Sequence, residues 1–315
     1  LKMACPDAEI DMLVGPQSGE VLSGCPYISN FITFDTTRFH KYDSGKEEKR
    51  SFWSYVGELR KKKYDLVFVL KRSFSSAFLA LSTGARYRVG YATENRSLML
   101  THKVAWQKDI HEVESLLQVL RAAGVPVVDD YLEAWISQTE AESVRLKVPS
   151  LKGDGKKVLI HAAAAHKDKL YPLTSWAEII RELNESKGMQ PYFTGAAEDR
   201  ATYQELETLS GIKAINMAGE LSIRESMALY QKMDLAVCVD SGPAHLACAV
   251  GTPTVTLFGP TDPVRWAPYG KHARAVFDSS LDCRPCNYKK VCDDRPCLTQ
   301  LEASKVTAIC HELEK

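Results

Sequence analysis

Apolar and polar positions along the chain follow two alternating periods. Short, nearly continuous apolar runs recur: EIDMLV (9–14), NFITF (30–34), DLVFVL (65–70), VLIHAAA (158–164), LAVCVD (235–240) and TVTLFG (254–259). Runs of this length and β-branched content read as strands covered on both faces. RYRVGY (86–91), QPYFTG (190–195) and KAINMAG (213–219) read as further strands. Between them the apolar spacing becomes helical. Charged residues 46–62, SSAFLALS (75–82), and HEVESLLQVLRAAG (111–124) with its Gly124 stop predict helices in the first half. In the second half, Ser175-Trp-Ala-Glu178 and Ser222-Ile-Arg-Glu225 have the form of capping boxes that open helices. Further helices are expected over about 197–210 and 304–313.

Strand and helix alternate throughout, the pattern of an α/β protein with parallel sheets. The Gly- and Lys-rich stretch VPSLKGDGKK (148–157) reads as a linker. We therefore expect a first doubly wound domain over 1–147 and a second over 148–303. A last helix, 304–315, is expected to pack back on the first domain. In such sheets ligands bind beyond the carboxyl ends of strands, where the strand order reverses. A crevice between two such domains is the expected site.

Composition narrows the function. Length, 315 residues, suits two domains. Lys+Arg and Asp+Glu are 40 each, so global charge does not favour nucleic acid as a partner. No apolar run is long enough for a membrane span, and the opening residues do not read as a signal peptide. LKMACPDAEIDMLV reads as a helix tail, a turn at Pro6 and a strand, so a segment ahead of Leu1 is expected.

The most informative stretch is DSGPAHLACAVGTPTVTLFGPTDP (240–263). Asp240 closes a strand at its ligand-binding end. Ser241 suits an N-cap, Gly242 lets a ligand approach, and Pro243 suits a first helical turn. Free amides and the helix dipole there attract an anion. His245, one turn in, can reach a phosphate or a hydroxyl. A carboxylate repels phosphate but accepts hydrogen bonds from sugar hydroxyls, so Asp240 beside an anion site points to a sugar nucleotide. The plain alternatives are a local cap and a hydrogen-bonded core histidine. HAAAAHKDKLYPLTSW (161–176) leaves another strand end through small residues to Lys169, a compact cation suited to a leaving diphosphate, or else a solvated loop lysine. Thr194-Gly195 and Met217-Ala218-Gly219 end two further strands. They can flank a base, or be ordinary turns.

Four cysteines form C-x2-C-x5-C-x4-C at Cys283, Cys286, Cys292 and Cys297. Four thiolates so close can hold zinc or an iron–sulfur cluster, although this spacing fits neither standard pattern. The alternative is an irregular loop. In a reducing compartment disulfides are disfavoured.

These segments resemble glycosyltransferase family 9, the ADP-heptose:lipopolysaccharide heptosyltransferases, over nearly the whole chain. The match at 240–263 is the most specific. HAAAAHKDKLYP stands where the family has His-Pro-Gly-Ala…Lys-Arg-Trp-Pro; TGAAED and INMAGELSIRE also match, and the cysteine segment is most like the heptosyltransferase II branch. The resemblance implies a GT-B fold of two Rossmann-like doubly wound domains facing a cleft. It also implies inverting, metal-independent transfer of heptose from ADP-heptose to a lipid-anchored inner-core saccharide in lipopolysaccharide biosynthesis. Lys169, Asp240 and His245 would be catalytic. Thr194, Gly195, Met217, Ala218, Gly219, Ser241 and Gly242 would bind the donor. The family's general base, an aspartate in a Gly-Asp loop, would lie upstream of Leu1. No cofactor is required, and a structural metal at the cysteines stays open.

The phosphorylated acceptor that the resemblance implies calls for cations in the first domain. Lys71 and Arg72 follow a strand end and come first, then Arg88 and Arg96. RKKK (60–63) near Phe52 and Trp53 can rest on anionic lipid, or be a solvated helix end. A cytoplasmic enzyme, peripheral at the inner membrane, is expected. The other readings are a non-catalytic sugar-nucleotide- or metal-binding module and another GT-B enzyme such as an epimerase.

Overall fold

The computed structural model describes residues 1–34, 51–289 and 292–313. The chain divides between Asp130 and Tyr131 into two compact units.

The first unit carries two parallel sheets. Strands β1 (Asp11–Val14) and β2 (Asn30–Thr33) pair in one; β3 (Leu66–Val69), β4 (Tyr87–Tyr91) and β5 (His102–Val104) form the other. Helices α1 (Pro16–Leu22), α2 (Phe52–Lys61), α3 (Phe74–Ser82) and α4 (Glu112–Arg121) alternate with them. Of the helix expected over 46–62, residues 46–50 lie outside the described residues. The remainder forms α2, capped by the Ser51 side chain on the Ser54 amide. Its apolar face, Tyr55, Val56 and Leu59, packs with Ile32 and Leu79.

The second unit holds α5 (Gln138–Lys147), β6 (Lys157–His161), α6 (Leu173–Lys187), β7 (Gln190–Phe193), α7 (Arg200–Ser210), β8 (Ile215–Asn216) and α8 (Ile223–Tyr230). It continues with β9 (Leu235–Val239), α9 (Gly242–Ala249), β10 (Thr254–Leu257), α10 (Pro263–Trp266), β11 (Ala273–Val276), α11 (Pro296–Thr299) and α12 (Ala303–Leu313). The strands make one parallel sheet in the order β11-β10-β9-β6-β7-β8. The chain runs outward from β6 through β7 to β8, then returns to place β9 on the other side of β6. The order thus reverses between β6 and β9.

Period-two alternation builds the core on both faces. Leu235, Val237 and Val239 of β9 join Trp176, Ile179 and Ile180 of α6 in one cluster. Ala236 and Cys238, the residues between, join Val144, Leu229 and Ala244 in another. Each side chain of Leu or Val size removed from water this way contributes about 1.5–3 kcal/mol.

Three expectations shift. The second unit begins ahead of the 148–157 linker, because α5 is tied into it. A capping box of Ser137 and Glu140 opens α5, and Glu140 also takes Arg224 Nε at 2.6 Å. At its far end Lys147 Nζ lies 2.7 Å from Glu225 Oε1. Burial pushes the Glu225 carboxyl up, but Lys147, Ser143 and the Ser222 amide together pull it down to about 2. The last helix, α12, lies on α6, β10 and β11 of its own unit, where Val306 and Cys310 complete the core. Finally, α6 starts at Leu173, with Pro172 in the cap position. Ser175 is inside the first turn and hydrogen-bonds Tyr171 instead of capping. The box at Ser222 and Glu225 forms as expected.

Candidate active site

The loops leaving the carboxyl ends of β6 and β9 flank the reversal in strand order, where such sheets bind ligands. They carry the two residues on which the sequence placed most weight. Lys169 Nζ lies 2.7 Å from Asp240 Oδ2, with the side chains 21% and 7% exposed. The same oxygen accepts Thr261 Oγ1 at 2.5 Å. Thr261, in the loop after β10, went unassigned in the sequence although it stands in the most specific segment. The signal was a hydroxyl at the next strand end.

Ser241 holds the N-cap position of α9 in an extended conformation, but its side chain makes no cap hydrogen bond. Its hydroxyl donates back to the Val239 carbonyl at 3.1 Å. The turn is therefore not filled by its own cap. Apart from its chain neighbours and the backbone of its own helix, no atom lies within 4 Å of where a Cβ on Gly242 would stand. His245 is half-buried one turn into α9.

The strand ends after β7 and β8 pack tightly on each other. Gly219 has φ +76, and a Cβ there would come within 2.8 Å of Ala197. The Gly219 amide donates to the Gly195 carbonyl at 2.9 Å, and Met217 to Phe193 at 2.9 Å. These glycines bring two turns together. Thr194, by contrast, is 2% exposed. Its hydroxyl lies 3.1 Å from the Tyr230 hydroxyl and 3.4 Å from His161 Nδ1, so its side chain is spent inside the unit. Ala218 is buried as well, which leaves Gly195, Met217 and Gly219 nearer the surface.

Burial pushes the His161 imidazole from 6.5 down to about 4. The folded ring is neutral, whereas the unfolded ring takes a proton near its ordinary value. Its stabilisation is complete above pH 6.5 and is lost as pH falls toward about 4. Unfolding free energy, followed by denaturant titration, is expected to decline across that window, and His161→Gln to flatten the decline.

Cys283, Cys286, Cys292 and Cys297 line one cavity, together with Asp168 and Arg284. Among the described residues, no group of three or more His, Cys, Asp or Glu side chains is arranged to hold a metal ion. The loop has hydrogen bonds to its neighbours instead. Asn287, Tyr288 and Arg295 have φ of 47, 62 and 45°. Such conformations cost of order 1–3 kcal/mol each, so the surrounding contacts must hold them.

In the first unit the expected cations divide. Arg96 is fully buried and donates to the carbonyls of Tyr91, Lys71 and Ser73 at 2.7, 2.5 and 3.0 Å. Arg88 donates to Met99 and Ala85. Both shape backbone, and neither is set to receive an acceptor. Arg72 pairs with Glu112 at 2.8 Å and stacks over Trp106, while Lys71 is exposed. Lys62 of the basic run lies 3.2 Å from Asp11, and Trp53 is 68% exposed. No helix among the described residues is long and apolar enough to cross a membrane.

The fold can be placed among known structures. Glycosyltransferase family 9 from Veillonella parvula superposes with a TM-score of 0.82 at 19% identity, covering 99% of this chain and 90% of that one. The ADP-heptose lipopolysaccharide heptosyltransferase II of Escherichia coli gives 0.73 at 20% identity, covering 99% and 91%. The chain has the GT-B fold of two Rossmann-like domains. The model of glycosyltransferase family 9 (heptosyltransferase) matches residues 52–295, and the chain belongs to that family. Lipopolysaccharide heptosyltransferase 3 of Escherichia coli K12 is 29% identical over 303 residues, 92% of this chain and 85% of that protein.

Proposed function

We propose that the protein transfers heptose from ADP-heptose to the inner core of lipopolysaccharide, with inversion and without a metal ion in the chemical step. The observation that carries this reading is the Lys169–Asp240 pair, a buried carboxylate and a partly exposed lysine at the sheet's switch point beside the start of α9. The lipopolysaccharide heptosyltransferase named among its relatives supports the choice of sugar and acceptor.

The diphosphate of the donor docks at the first amides of α9, next to Ser241 and Gly242, where the helix dipole favours negative charge. Lys169 stands at the carboxylate beside it, so the counter-charge is in place before the donor arrives. Asp240 accepts hydrogen bonds from sugar hydroxyls, and His245 reaches the phosphate or the sugar. Gly195, Met217 and Gly219 flank the adenosine. The acceptor hydroxyl oxygen attacks the anomeric carbon as that carbon's bond to the diphosphate breaks. ADP leaves carrying the bonding electrons, and the hydroxyl proton passes to a general-base carboxylate. Lys169 and the α9 amides stabilise the charge growing on the leaving group, the task a metal ion performs in other transferases.

Lys71 and Arg72 would meet an anionic acceptor. That acceptor is lipid-anchored, so the enzyme works in the cytoplasm at the inner membrane's face, with residues 60–63 and Trp53 toward the lipid.

Calorimetry with ADP-, UDP- and GDP-sugars tests the donor. ADP-heptose is expected to bind at least tenfold tighter than the others, and turnover to persist with a chelator present. Preference for a uridine or guanosine donor rejects the assignment.

A further inference from the structure

The cysteine-bearing loop is bolted to both partners of Asp240. On the Lys169 side, Arg295 Nη1 donates to the Lys167 carbonyl at 2.7 Å and the Leu170 carbonyl at 3.2 Å. These carbonyls bracket Lys169. The Tyr288 ring packs on His166 with centroids 4.2 Å apart, and its hydroxyl oxygen hydrogen-bonds Lys169. His166 Nδ1 in turn accepts the Asp168 amide at 3.3 Å. On the Thr261 side, Arg284 Nε donates to the Gly259 carbonyl at 2.6 Å, and the Asn287 amide to Pro260 at 2.8 Å. A single loop thus fixes the lysine and the segment leading to the threonine that share one carboxylate oxygen. Tyr288 and Arg295 both have left-handed backbone, a conformation that surrounding contacts must hold.

We propose that Tyr288 and Arg295 are positioning residues for the transfer reaction, acting through Lys169. The proposal rests on the role given to Lys169 above. Tyr288 limits where the ammonium can point, and Arg295 fixes the backbone that carries it. Neither residue needs to touch the substrate. The consequence for the reaction is geometric: a cation displaced from the leaving diphosphate loses much of its effect on the transition state.

The test uses Tyr288→Phe, which keeps the ring stacking and removes the hydroxyl, and Arg295→Met, which keeps an unbranched side chain and removes the Nη1 donor shared by the two carbonyls. Each variant is made in the wild-type background and with Lys169→Ala. Each single variant is expected to lower kcat about 10-fold, with little change in donor KM or in Tm. With Lys169→Ala present, neither is expected to lower kcat further, because the residue they act through is gone. Losses that multiply with Lys169→Ala, or an unchanged kcat in both single variants, overturn the proposal. A second readout does not depend on turnover: amine-reactive labelling of Lys169, followed by mass spectrometry. Labelling is expected to speed up several-fold in both variants relative to Lys167, and unchanged labelling also overturns the proposal. If the unmodified protein transfers no sugar from any donor, the functional reading fails, and labelling alone decides whether the loop positions Lys169.

Discussion

Lys169→Ala is expected to lower kcat for sugar transfer by about 100- to 1,000-fold, the usual loss when one charge-stabilising donor is taken from a transition state. The lysine is 2.7 Å from Asp240, with its side chain 21% exposed. In the proposed reaction the loss is expected on kcat more than on donor KM, because charge on the diphosphate would grow as the bond to the sugar breaks. Lys169→Arg keeps the charge but spreads it over a planar fork where a compact ammonium fits between Asp240 and Tyr288. It is expected to recover only part of the activity. Steady-state release of ADP at saturating donor measures all three proteins. Turnover unaffected by the alanine would take Lys169 out of the chemistry.

Asp240→Ala has its largest effect on stability. It leaves a mostly buried ammonium without its counter-charge and Thr261 without its acceptor. Lys169 keeps partial access to solvent and the Tyr288 hydroxyl as an acceptor, so the loss is expected to be about 1–3 kcal/mol, below that of breaking a fully buried pair. Urea unfolding of the second unit is expected to show a loss of that size. Replacing both partners together, Lys169→Met with Asp240→Leu, removes the uncompensated charge and is expected to recover most of the stability, because apolar pairs of similar volume are often neutral. The double variant still transfers no sugar. Recovery of stability without recovery of activity separates what the pair does for the fold from what it does for the reaction. If Asp240→Ala is as stable as the parent, the pair contributes nothing to the fold.

The sequence read well where the local pattern was also the final determinant. β6 and β9 are continuous apolar runs because helices cover both faces of their sheet, and that burial is what the run encodes. Lys169 and Asp240 were legible from their places after those strands. Their contact with each other was not, because pairing of β6 with β9 is a long-range choice that no local pattern records. α5 was missed although Ser137 and Glu140 spell a capping box, since its polar surface hid a helix whose anchoring is ionic. Ser175 and Glu178 misled in the opposite direction: the same spelling falls within α6, with Ser175 already in its first turn, because the chain after Pro172 is helical. Arg88 and Arg96 looked like free cations. Only the fold shows that backbone carbonyls surround their guanidinium groups. Tyr288 and Arg295 lay in a segment read for its cysteines, so their reach to the Lys169 turn was invisible.

The reversal of strand order between β6 and β9 has a consequence for folding as well as for binding. The two strands are distant in sequence, so joining them closes a long loop and carries its entropic cost. Lys169 and Asp240 meet only after that closure, which means partly folded chains have no assembled pocket. A molecule that grips both ends is therefore bound by the completed sheet alone. It stabilises the whole unit by mass action, and thermal denaturation in its presence reports global rather than local protection.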